Sequence, residues 1–169
     1  MIAVAMLTLA SGLIAGQFHH QLGVAPILGA ILCAACFLRP RELFLVGLGG
    51  ILVRDLLTGL SSFTLVRLIG IGLVVAAIVA LKVRPTFRSL LTGLIVSSPI
   101  FQLSLAVGDW ATGTCSVLPK TQQGLLTAIV TALPYFQRSF VGDTLFAALF
   151  LGAYTAAAYA ALGRPARAS

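Results

Sequence analysis

Charge is what this chain has least of. Only 9% of its 169 residues are charged, and the acids number four: Glu42, Asp55, Asp109 and Asp143. No stretch is polar enough to build a separate soluble domain, so residues 1–169 read as one domain. The eleven Lys and Arg give a net charge of +7. Most of them cluster in short loops and the C-terminal tail rather than in a solvated stripe interleaved with aromatics, which argues against a nucleic-acid partner. Cysteine is nearly as scarce. Cys33 and Cys36 form a C-x-x-C inside an apolar run with no βαβ context, and read as two small apolar residues one helical turn apart. Enzyme signatures are missing: there is no H-E-x-x-H, no G-x-S-x-G and no phosphate loop, so neither catalysis nor a cofactor is expected. His19 and His20 are adjacent and point apart on a helix. With no Cys or carboxylate at ligand spacing, no metal is expected there.

What remains is apolar. Hydrophobic residues make up 59% of the chain and its mean hydropathy is +1.07, the composition of a protein whose solvent is lipid. The expected fold is all-α: about six transmembrane helices in one bundle plus a short outer amphipathic helix. Apolar segments lie at Ile2–Gly16, Ala25–Leu38, Leu43–Leu57, Thr64–Leu81, Ser89–Val107 and Phe140–Leu162. The first two are short for a ~30 Å hydrocarbon core, which leaves a re-entrant pair as the alternative to two spans. Met1–Gly16 also suits the apolar part of a signal peptide, although it lacks the positive n-region. If all six segments cross, the basic residues Arg39, Arg41, Lys82, Arg84, Arg88, Arg164 and Arg167 share one side, against Lys120 and Arg138 on the other. The positive-inside rule then puts both termini in the cytoplasm of a multi-pass inner (plasma) membrane protein.

An ionisable group within a span is costly and is a site hypothesis by default. With that orientation, Arg54, Asp55, Arg67, Asp109 and Asp143 gather towards the outer face, with Trp110 and the neutral Gln102 nearby. Ser139 is a plausible N-cap for the last span, which would put Asp143 in its first turn. Two readings stay open: an outer polar cavity, or interfacial charges that snorkel to water and neutralise each other. Gln123, Thr127 and Thr131 recur every four residues along Gly124–Leu133, which Pro134 is expected to end; the segment, helix 121–133 at its widest, reads as a lid over such a cavity or as a plain interfacial helix. Small residues at Ser11, Gly12, Ala15 and Gly16, and at Gly47, Gly50, Gly70 and Gly72, allow close helix approach. That serves either packing within the bundle or a face for a partner helix.

Specific elements add a resemblance. Leu118-Pro-Lys-Thr-Gln-Gln-Gly-Leu125, then Ala132-Leu-Pro-Tyr-Phe136, then Val141-Gly-Asp143 before an apolar span resembles an uncharacterised family of bacterial integral membrane proteins. That family shows Y-P-x-T-x-x-G-L, I-P-F-F and G-D elements in this order. Val24-Ala-Pro-Ile-Leu-Gly29 and Arg54-Asp55-Leu56 with Thr58-Gly59 extend the likeness upstream. Leu118 replaces the family's aromatic, Arg54 stands where Ser is usual, and Asp109 takes a place often held by Asn. The family in turn is similar in architecture to the substrate-binding S components of energy-coupling factor transporters. The resemblance implies outward-facing capture of a small-molecule solute, a vitamin or related nutrient, for uptake. It further implies docking through the Ser11–Gly16 face on a transmembrane coupling subunit whose ATPases supply the energy. Asp55, Arg67, Asp109 and Asp143 are the expected polar contacts, Trp110 a stacking surface, and Arg54 and Gln102 secondary candidates. The rival expectation is a structural or accessory membrane protein without a ligand.

Overall fold

A computed structural model describes residues 1–18, 25–113 and 117–162, the side chains of 138 and 160–162 excepted. His19, His20, Cys115, Arg164 and Arg167 lie outside the described residues or side chains. Six α-helices account for the described chain: α1 (Ile2–Gln17), α2 (Ala25–Ala35), α3 (Pro40–Thr58), α4 (Phe63–Leu81), α5 (Phe87–Thr112) and α6 (Gln122–Leu162).

Their ends are set locally. Pro40 opens α3 at its first position, where a missing N–H costs nothing, and the Arg39 amide donates to the Glu42 carboxylate at 2.9 Å. Thr86 caps α5 by accepting from the Ser89 amide at 3.4 Å. Gly113 closes α5 with φ 65°, in the left-handed region that glycine enters without a Cβ penalty.

Close approaches fix the topology. An alanine Cβ at Gly49, Gly12 or Gly16 would fall 2.7 Å from Thr8, Val53 or Leu57 respectively. The pairs 8–49, 12–53 and 16–57 rise together, so α1 and α3 run parallel. Gly50 faces Ile27 while Gly47 faces Ile31, so α2 runs against α3. Gly47 also meets Ile71 and Val75, and Gly70 meets Phe101, which makes α4 antiparallel to both α3 and α5. Gly142 approaches Ala25 and Gly29 approaches Phe146, so α6 runs with α2. Successive helices therefore alternate in direction.

The short helix α2 sits at the centre. It touches all five others, and its residues Ala25–Ala34 are buried without interruption. Around it the helices α1, α3, α4, α5 and α6 pack in that order as an arc. An apolar helix of 11 residues reaches about 16 Å at 1.5 Å per residue. A helix that is hydrophobic on every side is buried on every side, and here protein rather than lipid covers it.

Three helical stretches are long and apolar enough to cross a membrane: Phe63–Leu81, Phe87–Thr112 and Ser139–Tyr159. This corrects the expectation of six by length and composition. The helices α1 and α2 are shorter, and α3 carries Arg41, Glu42, Arg54 and Asp55 in its 19 residues. The outer surface is apolar in stripes: Leu65, Ile69 and Leu73, four residues apart on α4, are each more than half exposed. Stripes of that kind suit a lipid solvent and not water.

A second correction concerns Pro134. The segment before it is not a separate helix, because α6 continues through it for 41 residues. An interior proline removes one backbone hydrogen bond and costs about 3 kcal/mol. The helix is held on both sides of that point: Gly124 and Ala128 are buried before it, and Asp143, Phe146 and Phe150 after it. Ser139 is therefore not an N-cap, and Asp143 lies mid-helix, away from any N-terminal dipole.

Candidate functional site

The alternating directions bring the ends of α1, α3 and α5 to the same side as the starts of α2 and α4. Arg54 and Asp55 lie in the last turns of α3, Arg67 in the second turn of α4 and Asp109 near the end of α5, so four of the expected residues share that side. The opposite end holds Arg39, Arg41, Lys82, Arg84 and Arg88 with the single acid Glu42.

Three of the residues are in direct contact. Asp55 is fully buried, and each of its oxygens is taken by a different guanidinium: Oδ1 by Arg54 Nη1 at 2.5 Å and Oδ2 by Arg67 Nη1 at 2.9 Å. Arg54 is itself buried, and its Nε has no hydrogen-bond partner among the described residues. The Arg67 side chain is 20% exposed and its guanidinium sits 5.1 Å from the Phe63 ring centroid, a cation–π distance. Two positive groups against one negative leave the cluster at +1 in apolar surroundings. Burial of such a charge is tolerated only with paired, hydrogen-bonded partners.

Trp110 and Asp109 belong to a neighbouring feature. The Trp110 indole N–H donates to the Pro119 carbonyl at 3.0 Å. Lys120 Nζ bonds the Trp110 carbonyl and lies 5.4 Å from the indole centroid. These contacts fold the 117–121 segment back over the end of α5. The indole face expected to be free for stacking thus carries a lysine. The hydroxyls of Thr127 and Thr131 bond carbonyls of their own helix, at Gln123 (2.8 Å) and Thr127 (2.9 Å). The two threonines of the polar stripe are thereby satisfied within α6.

Asp143 is fully buried on α6, apart from the arginines. Its Oδ2 accepts from Ser139 Oγ at 3.3 Å. The buried Ser98 of α5 is the other hydroxyl beside it. Gln102 lies apart from all of these. It lines an apolar groove of about 160 Å³ between α5 and α6, with Pro99, Leu103, Ile129, Ala132, Leu133 and Phe136. None of the other expected contacts reaches that groove.

The small-residue face of α1 is not open. Ser11, Gly12, Ala15 and Gly16 are buried, with Gly12 on Val53 and Gly16 on Leu57. That face, expected as a possible docking surface, is the seam between α1 and α3. Ser98 and Ser139 are the site residues that sequence reasoning missed or misplaced. A mid-helix serine usually bonds its own backbone, so only a partner on another turn or helix marks it out.

Among the described residues, no group of three His, Cys, Asp or Glu could hold a metal ion. Cys33 and Cys36 are unpaired, and Cys36 Sγ donates to the Leu32 carbonyl at 3.6 Å. Comparison with curated proteins and with solved structures returns no match. One family model does match, over residues 1–166, which is nearly the whole chain. With apolar-faced helices and that match in hand, this chain belongs to the family of unknown function DUF6580.

Proposed function

We infer that this protein is a membrane-embedded binding protein for a small solute, similar in role to the S components of energy-coupling factor transporters. It captures a vitamin or related nutrient at the end of the bundle where α3 and α5 finish. In this reading the three long apolar stretches on α4, α5 and α6 cross the membrane, with α2 as a short central helix enclosed by the rest. The observation that carries it is the Arg54–Asp55–Arg67 cluster. A surplus guanidinium charge inside an apolar bundle is expensive, and its one partly exposed member, Arg67, opens to the same side as Asp109 and Trp110. Those three, with Asp55 and Arg54 behind them, are the proposed solute contacts. The end rich in Arg39, Arg41, Lys82, Arg84 and Arg88 faces the cytoplasm, as the positive-inside rule requires. ATPases and a coupling subunit would be separate chains.

A specific observation favours a second reading. Both Asp55 oxygens are spent on the protein's own arginines, which is what a purely structural cluster in an accessory protein would do. Small molecules that co-purify with the protein, identified by mass spectrometry, separate the two. Capture predicts a defined compound that disappears in Arg67→Ala while the variant stays folded. The accessory reading predicts no enrichment over an unrelated membrane protein prepared identically.

Orientation is tested separately. With the native cysteines replaced, a cysteine at position 61 should react with a membrane-impermeant thiol reagent in intact cells. One at position 86 should react only after lysis. Both positions are exposed, so a reversed pattern would overturn the orientation.

A further inference from the structure

Independently of the solute reading, we propose that the basic end of the bundle binds one anionic phospholipid, in a groove where α2 and α4 finish and α3 begins. The groove measures about 240 Å³. Its walls are apolar: Leu38, Leu43, Ile78 and Val83 line it, the last three of them buried. Lys82 is the charged residue of the lining, and it is exposed. Local geometry puts it there. Lys82 closes α4 at φ 49°, in the left-handed region that glycine usually takes at a helix end, and the Val83 amide folds back to the Ile78 carbonyl at 3.5 Å.

Positive charge surrounds the groove. Arg39 lies between the lining residues Leu38 and Pro40, and Arg84 follows Val83. Arg39, Arg41, Lys82, Arg84 and Arg88 are all exposed. Among the described residues none of them makes an ion pair, since both such pairs belong to Asp55. The one acid at this end, Glu42, accepts from the Arg39 amide at 2.9 Å. A free inorganic anion would answer the cations and leave the apolar walls empty. An uncharged hydrocarbon would do the reverse. Together they select an amphiphile with a negative head, the chemistry by which basic pockets between membrane helices take anionic lipids. Size sets how much of it enters. Pockets for whole organic ligands begin near ~300 Å³, so this groove takes a segment of one acyl chain and leaves the rest in the bilayer. The depth agrees. Phe87 is 80% exposed and adjoins the exposed Arg88; an apolar ring next to a solvated guanidinium belongs where hydrocarbon meets headgroups.

The test counts bound lipid. The purified full chain in detergent is titrated with dioctanoyl phosphatidylglycerol, with phosphatidylcholine of the same chains, or with glycerol phosphate, and bound molecules are counted by native mass spectrometry. Phosphatidylglycerol should saturate at one per chain and raise Tm, and the other two should do neither. Lys82→Gln should weaken the affinity about tenfold or more, as loss of a hydrogen bond to a charged group does. Arg88→Gln removes the same charge away from the lining and should cost no more than the roughly fivefold of a charge near an anionic surface. Ala35→Phe fills the groove from its lining, leaves every charge in place and should abolish one-to-one binding. Should Ala35→Phe fail to fold, Lys82→Gln against Arg88→Gln decides. Equal binding of phosphatidylcholine would mean an apolar contact blind to charge, and binding of glycerol phosphate a site for a free anion. Equal losses in Lys82→Gln and Arg88→Gln would mean a diffuse surface potential. Each of these overturns the proposal. None of them touches the solute reading, whose contacts lie at the opposite end of the bundle.

Discussion

Replacing Asp55 with alanine should destabilise the protein by about 3–5 kcal/mol, the cost of leaving buried charge without its partner. Two guanidiniums converge on that one carboxylate, at 2.5 and 2.9 Å. Without it, Arg54 stays buried with no counter-charge on α3, and Arg67 repels it. For a domain of this size the loss corresponds to a fall in Tm of roughly 10 °C, measurable by thermal unfolding in detergent. The triple change Arg54→Met, Asp55→Leu and Arg67→Met should be far milder than Asp55→Ala alone, because it removes the charges together with the need to pair them. An Asp55→Ala variant that unfolds at the wild-type temperature would mean that water reaches the cluster and screens it. The triple variant also bears on function: stable but unable to retain a co-purified solute, it would support capture.

Gly29→Ala is the second large effect expected. The added methyl would lie 2.6 Å from Phe146 Cβ and 2.7 Å from the Ala147 backbone nitrogen. Backbone cannot step aside as the tip of a flexible side chain can, so α6 must move away from the central helix. Overpacking of this kind costs about 1–3 kcal/mol and occasionally more. Displacement of α6 also opens contacts around Phe146 and Phe150. Gly72→Ala is the control: nothing lies within 4 Å of its Cβ position. There, alanine's better helix propensity should make the change neutral or stabilising by up to about 1 kcal/mol. Equal Tm changes in the two variants would contradict the α2–α6 packing.

The sequence made several elements legible. Helices over 2–17, 40–58, 63–81 and 87–112 lie close to the apolar segments drawn from hydropathy, because an apolar run of that length has few other ways to satisfy its backbone in lipid. The grouping of Arg54, Asp55, Arg67 and Asp109 at one end also follows from position along alternating segments. Asp143 was legible as a costly residue, but its neighbours were not. Ser98 is 45 residues earlier, and no periodicity links it to α6. Pro134 misled for a related reason. It is a strong local signal against helix, overridden by burial of residues on either side of it.

Composition and spacing alone determined that the chain is helical, that it is built for an apolar solvent, and that most of its few charges, Asp143 excepted, are kept near helix ends. These properties are local, set by backbone hydrogen bonding and the cost of moving each side chain out of water. Only the tertiary structure decided that α2 is enclosed by protein, that the small face of α1 is spent on α3, and that Asp55 serves two arginines while Asp143 serves none. Lipid tails and a protein interior are equally apolar, so hydropathy cannot tell which of them a helix face will meet. That choice belongs to the packing of whole helices against one another.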